Sequence, residues 1–265
     1  MNEIYVEQIE TYPEEITECI KKYSYSLQKY IHQGIPQDDF SVRCALENNY
    51  FWSDNIIQQL YKEFWNIAAK YFWVGYHVTR IQSNNEILQG GLLRLEFDSY
   101  CSRLTKILED NGIGESEIDY AIARIKKMYD GYLGERKERV CFFAPESLLY
   151  KRNFDYLAKN YGGEIAERSF ENYEGMENVW KVLADTGTPV IVKFRFHLND
   201  LYEFQHDDVF MDILRFLTSK LFLGYDYSVE IGQHIKKSIL PEDILKIRKI
   251  KIRKYNWSTK SLSSD

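Results

Sequence analysis

A chain of 265 residues that is 45% apolar is long enough to bury a core in one compact domain, with or without a helical extension. Its 21 Tyr and 15 Phe exclude a disordered polymer, because aromatic side chains bury large areas and offset the entropy of ordering the backbone. A net charge of −6 speaks on bulk grounds against a nucleic-acid partner, yet the charge is unevenly spread.

Residues 236–254 carry eight basic side chains against Glu242 and Asp243, a local balance of +6 that leaves −12 for the rest. Such a segment steers a phosphate backbone to one face, or keeps a sheet edge soluble; the solvated edge is the simpler reading. Cys19, Cys44, Cys101 and Cys141 lie far apart without a CxxC pair, which excludes a zinc knuckle and a dense disulfide framework and fits a reducing compartment. The opening Met1-Asn2-Glu3 lacks a basic region followed by an apolar core, and no stretch has the length to cross a bilayer. The expectation is a cytoplasmic protein that does not engage membranes.

In chain order, apolar residues at three- and four-residue steps predict a helix from Glu14 to about His32, with Pro13 near its start. The breaker cluster Gly34 to Asp39 follows, and Ser53-Asp54 opens a second helix through Ile56, Leu60, Phe64, Ile67 and Ala68. Residues 1–70 therefore read as a helical section. At Tyr71 the run Tyr-Phe-Trp-Val-Gly-Tyr-His-Val-Thr-Arg predicts a buried strand. A short helix over Asn85 to Leu92 closes on Gly90-Gly91, and helical pattern over 98–130 is broken at Asn111 to Gly114. Val140 to Ala144 reads as a strand, Glu146 to Asn160 as a helix ending at Gly162-Gly163, and Val190 to Leu198 as a strand. A helix over Asp208 to Leu221 and strands over Tyr227 to Ile235 and Ile247 to Tyr255 complete the pattern, with 256–265 a flexible Ser-rich tail.

Familiar chemistries are excluded by their missing motifs. The five histidines are not spaced as i, i+4 pairs beside carboxylates, so no metal site is expected. GxxxxGK[ST], GxGxxG and GxSxG are all absent, which removes local support for a P-loop, a Rossmann dinucleotide site or a nucleophile elbow.

Three segments remain. Tyr76-His77-Val78-Thr79-Arg80 is followed by Glu86-Ile87-Leu88-Gln89-Gly90-Gly91-Leu92; then come Cys141-Phe142-Phe143-Ala144 with a helix behind it, and last Ser228-Val229-Glu230-Ile231 before Ile239-Leu240-Pro241-Glu242-Asp243-Ile244. In order and separation they resemble the ADP-ribosyltransferases of the diphtheria-toxin and poly(ADP-ribose)-polymerase type, over residues 71–250. That family has a first-strand His-x-Ser/Thr, a short helix ending in Gly-Leu, a Tyr-Phe-Ala strand and a late catalytic glutamate before Pro-Glu-x-Ile.

The resemblance implies an α+β fold, a split β-sandwich of two antiparallel sheets over 71–255 around an NAD cleft, with the 1–70 helices laid against it. It implies that His77 and Thr79 seat NAD, that Phe142 replaces the strand tyrosine, and that Tyr150, Phe154 or Tyr156 stacks on nicotinamide. It implies that Glu230 is catalytic, accepting a hydrogen bond from the ribose 2′-hydroxyl as an oxocarbenium-like charge develops. Glu164, after the Gly162-Gly163 pair, is the competing carboxylate, expected to be more exposed and less well fixed than a strand residue.

The expected function is NAD-dependent mono-ADP-ribosyl transfer, with nucleic acid the favoured acceptor because the basic segment adjoins the Glu230 strand. The setting implied is a defence or toxin–antitoxin toxin, held by an antitoxin protein. Protein modification and NAD hydrolysis are alternatives on the same fold, and a non-catalytic interaction module is the alternative of another class. Taken singly, His77 also reads as a core histidine, Thr79 as a β-former, Arg80 as a strand-end charge, and Glu230 as a solvent-facing strand residue.

Overall fold

The computed structural model describes residues 3–33, 54–131, 137–151, 157–170, 175–224, 227–252, 255–256 and 261–262. Helices and strands mix along the chain in an α+β arrangement. Six described strands form one open sheet: β1 (Glu3–Ile4), β2 (Phe72–Ile81), β3 (Val140–Ala144), β4 (Thr188–His197), β5 (Ile231–Ile235) and β6 (Ile244–Lys249). The order is β5-β3-β2-β4-β6, so β2 is central and β6 lies at an edge, while β1 joins the start of β2 in parallel. A second packed sheet, expected from the resemblance, is not among the described elements. Beyond the main sheet, the described residues add the short ladder of β7 (Tyr255–Asn256) and β8 (Ser261–Leu262), which falls in and beside the expected tail.

The chain divides into two compact units, neither continuous in sequence. The first joins Met1–Gly75 with Phe143–Leu148 and Arg195–Gln233, so the N-terminal helices share a unit with a late part of the chain. Its helices are α1 (Glu14–Lys22), α2 (Ser24–Gln33), α3 (Asn55–Ala68) and, after the segments below, His206–Thr218, which continues into a π-helical turn at Ser219–Leu223. The single predicted N-terminal helix is two, broken at Tyr23. Glu14 and Glu15 in its first turn and Lys21 and Lys22 in its last complement the helix dipole, while Ile16, Cys19 and Ile20 bury one face. Asp54 caps α3 by accepting from the Ile56 backbone N–H at 2.8 Å. Tyr12 lies edge-on to Trp73 and stacks near Phe216, and Phe64 meets Phe210 at 5.2 Å. Each such side chain, fully buried, contributes about 1.5–3 kcal/mol over its exposed state.

The second unit comprises Tyr76–Phe142, Leu149–Phe194 and His234–Asp265. It contains α4 (Asn84–Gly90), α5 (Phe97–Asp110), α6 (Glu115–Asp130), α8 (Gly163–Phe170), α9 (Glu177–Asp185) and most of the short α7 (Ser147–Lys151). Leu104, Leu108, Ile118, Ala121, Ile125, Ile165, Phe170, Val179, Trp180 and Leu183 form its helical core. Two sequence expectations change here. The helix predicted over Glu146 to Asn160 is described only as α7, and Gly162-Gly163 start α8 where they were expected to end a helix. Helix α9 was not anticipated at all.

Candidate functional site

His77 stands on central β2, where aromatic and β-branched neighbours favour the extended chain. Strand alternation puts His77 and Thr79 on one face and Val78 on the other, where it is buried. The His77 ring is half-buried, and its Nδ1 lies 2.7 Å from the Cys141 carbonyl oxygen of neighbouring β3. A carbonyl only accepts, so Nδ1 carries the proton and Nε2 of the neutral ring is left as an acceptor. Burial pushes the His77 pKa below its ordinary value, more than the Cys141 contact raises it. A neutral imidazole with an acceptor nitrogen matches a hydroxyl donor such as a ribose. Thr79 is half-buried, with its hydroxyl 3.5 Å from the Arg80 carbonyl, at the outer limit of a hydrogen bond.

The aromatic candidates separate. Phe142 is 1% exposed and packs edge-on to Phe194, so it is a core residue with no ring face to offer a cofactor. Tyr150 on α7 is 60% exposed, and its hydroxyl accepts from the Arg248 guanidinium, which also sits 5.8 Å from the ring centroid. Phe154 and Tyr156 lie outside the described residues.

The two carboxylates exchange character. Glu230 precedes β5, which begins at Ile231; it is therefore not a strand residue, and it is exposed, within the first unit. Glu164, in the first turn of α8, has a side chain only 10% exposed and accepts from Arg168 Nε at 3.1 Å. The expectation that Glu164 is the more exposed of the pair is reversed, because the glycine pair opens a helix that shields Glu164.

Two motif segments that are far apart in sequence meet in the second unit. Gly91 ends α4 at φ +72, and Leu92 then forms an isolated antiparallel bridge with Ile239: each backbone N–H donates to the other's carbonyl at 2.9 Å. A Cβ on Gly91 would lie 2.0 Å from the Ile239 oxygen, so glycine is needed both for the φ and for the contact.

Sequence reasoning missed the polar framework around these segments. Arg80 is no ordinary strand-end charge: Nε donates to Thr186 O, Nη2 to Gly187 O, and Nη1 to Ala158 O and Lys159 O, at 2.8–3.2 Å. Glu86 accepts from the Tyr161 hydroxyl at 3.0 Å and from the Gln82 N–H at 2.8 Å; burial, then this carboxylate, raises the Tyr161 pKa to about 12. Buried Glu167 takes Lys159 Nζ and Asn160 Nδ2, both at 2.9 Å. The Tyr100 hydroxyl donates to Gly162 O at 2.8 Å. Apart from Gln82, four residues before Glu86, these partners lie beyond the reach of a local motif, and the clustering of Tyr, Gly and Glu at 161–167 was their one sequence signal.

Among the described residues no group of His, Cys, Asp or Glu is arranged to hold a metal ion, and no helix is long and apolar enough to cross a membrane. Comparison with protein-family models, with curated proteins and with solved structures returned no match.

Proposed function

We propose that this chain is an NAD-dependent mono-ADP-ribosyltransferase on an ADP-ribosyltransferase-like fold, acting on nucleic acid as a toxin or defence effector. The observation that carries the reading is the pairing of separated motif segments: the His-x-Thr strand bonds the aromatic strand through His77 and Cys141, and Gly91-Leu92 bridges Ile239 just before Pro241-Glu242-Asp243-Ile244. The fold assignment rests on that convergence, since the count of packed sheets does not supply it. In the reaction, the bond between nicotinamide and ribose C1′ breaks, nicotinamide leaves with the bonding pair, and an acceptor nucleophile forms the new bond at C1′. His77 Nε2 accepts from a ribose hydroxyl, and Thr79 helps seat the cofactor. Glu230 stabilises the developing positive charge and also takes the acceptor's proton.

The test is incubation with NAD labelled in its ADP-ribose half and separate RNA, DNA and protein pools. The expected result is nicotinamide release with transfer of label to a nucleic-acid pool, and loss of both in Glu230→Gln. Absence of release with every pool, or full activity in Glu230→Gln, overturns the assignment. Expression in a bacterial host tests the setting: wild type is expected to arrest growth and His77→Ala to be harmless, and equal harmlessness removes the toxin role.

A further inference from the structure

Edge strand β6 carries Lys246, Arg248 and Lys249, and the register with β4 places Lys246 directly opposite Lys193. Alternation puts Arg248 on the same face as that lysine pair, since it is two residues on from Lys246. Beside it is the exposed ring of Tyr150, bonded through its hydroxyl to the Arg248 guanidinium. We infer that this face of β4 and β6, with Tyr150, is a docking surface for single-stranded nucleic acid: Lys193, Lys246 and Arg248 meet successive phosphates, and an unpaired base stacks on Tyr150.

Protection of a sheet edge explains lysines on β6 by itself, because charge on an edge strand discourages pairing with another chain. It does not explain Lys193, which comes from β4, a strand paired on both sides. Nor does edge protection explain an aromatic ring left 60% exposed against a guanidinium. Cationic side chains along a backbone track with an aromatic for stacking are the components of single-strand recognition, and duplex bases have no free face for the ring. The charge balance points to the same partner: residues 236–254 are basic on a chain whose net charge is −6, which draws a polyanion to this segment and away from the rest.

The inference deepens the proposed function by naming the acceptor's class, and rests on that reading for its biological sense; its test does not, because binding is measured without NAD. Fluorescence anisotropy of the full chain with a fluorescein-labelled mixed-sequence single-stranded oligonucleotide is expected to show affinity that falls with salt. Lys246→Gln with Arg248→Gln is expected to weaken binding at least about tenfold and to reduce the log–log salt slope by about 1.4, from roughly 0.7 per lost phosphate contact. Tyr150→Ala is expected to weaken binding about tenfold at an unchanged slope. Lys106→Glu, an exposed lysine on α5, is expected to bind as wild type. Wild-type affinity in both the double variant and Tyr150→Ala overturns the inference, as does duplex bound as tightly as single strand, or attachment to phosphatidylserine vesicles in place of the oligonucleotide. Nicotinamide release without oligonucleotide binding overturns this surface and leaves the transferase standing, while binding without release does the reverse.

Discussion

The protonation of His77 follows from a single backbone contact. Its Nδ1 faces a carbonyl oxygen at 2.7 Å, and burial opposes the second proton that would make the ring cationic. Because the folded pKa lies below the ordinary value of 6.5, His77 adds stability that is fully present above that pH and is lost as pH falls through the depressed folded value. His77→Asn keeps an amide donor near Nδ1 without a titrating ring. Urea denaturation across this range should show the acid-side loss in wild type and a smaller loss in the variant; parallel curves would contradict the assignment. Nicotinamide release should likewise hold from mildly alkaline pH down to 6.5 and fall only below it. Arg80 tests the framework. Arg80→Lys retains charge but not the planar fork, so the four carbonyls it serves lose their shared donor. The expected cost is about 2–3 kcal/mol by urea denaturation, and a loss below about 0.5 kcal/mol, the range of neutral surface changes, would show that the clamp is not structural.

At the scale of elements, α4 and the Leu92–Ile239 bridge depend on Gly91. Gly91→Ala places a methyl group 2.0 Å from a backbone oxygen at a positive φ, so the bridge must open. The expected loss is about 2–4 kcal/mol, with nicotinamide release falling alongside it. Gly112→Ala is the matched comparison, with φ +75 and nothing within 4 Å of the added Cβ, and should cost only about 1 kcal/mol. Equal losses in the two variants would contradict the role given to the bridge. The two cases also mark what local sequence conveys. Gly91 was legible as a helix end, because Gly-Gly after an apolar step is a stop signal; its partner Ile239 was not, because nothing local specifies a contact so far along the chain. Strand β2 was legible from its dense aromatic and β-branched run, and β3 from a short apolar run stopped by Pro145. Helix α9 carries only a short signal, Val179, Trp180 and Leu183 at helical spacing. In α8 the same spacing in Ile165, Ala166, Ser169 and Phe170 was obscured by glycines read as a terminus.

For the whole molecule, composition predicted a chain that folds and the resemblance an α+β class; the structure is α+β, but connectivity lay beyond reading. A compact unit built from Met1–Gly75 and Arg195–Gln233 depends on contacts such as Tyr12 on Phe216, which carry no sequence signature. The strand that carries His77 and Thr79 was legible from its local pattern. Exposure, which neighbours set, was not: Phe142 lies in the core, and Glu164 rather than Glu230 is the shielded carboxylate. The central claim is cleavage of NAD, and nicotinamide release by wild type, Glu230→Gln, Glu164→Gln and His77→Ala in the presence of the nucleic-acid pool tests it most directly. The expected result is release by wild type, a fall of about 100- to 1,000-fold in Glu230→Gln and about 10- to 100-fold in His77→Ala, and retained activity in Glu164→Gln. No release by wild type, or release that survives both Glu230→Gln and His77→Ala, would contradict it.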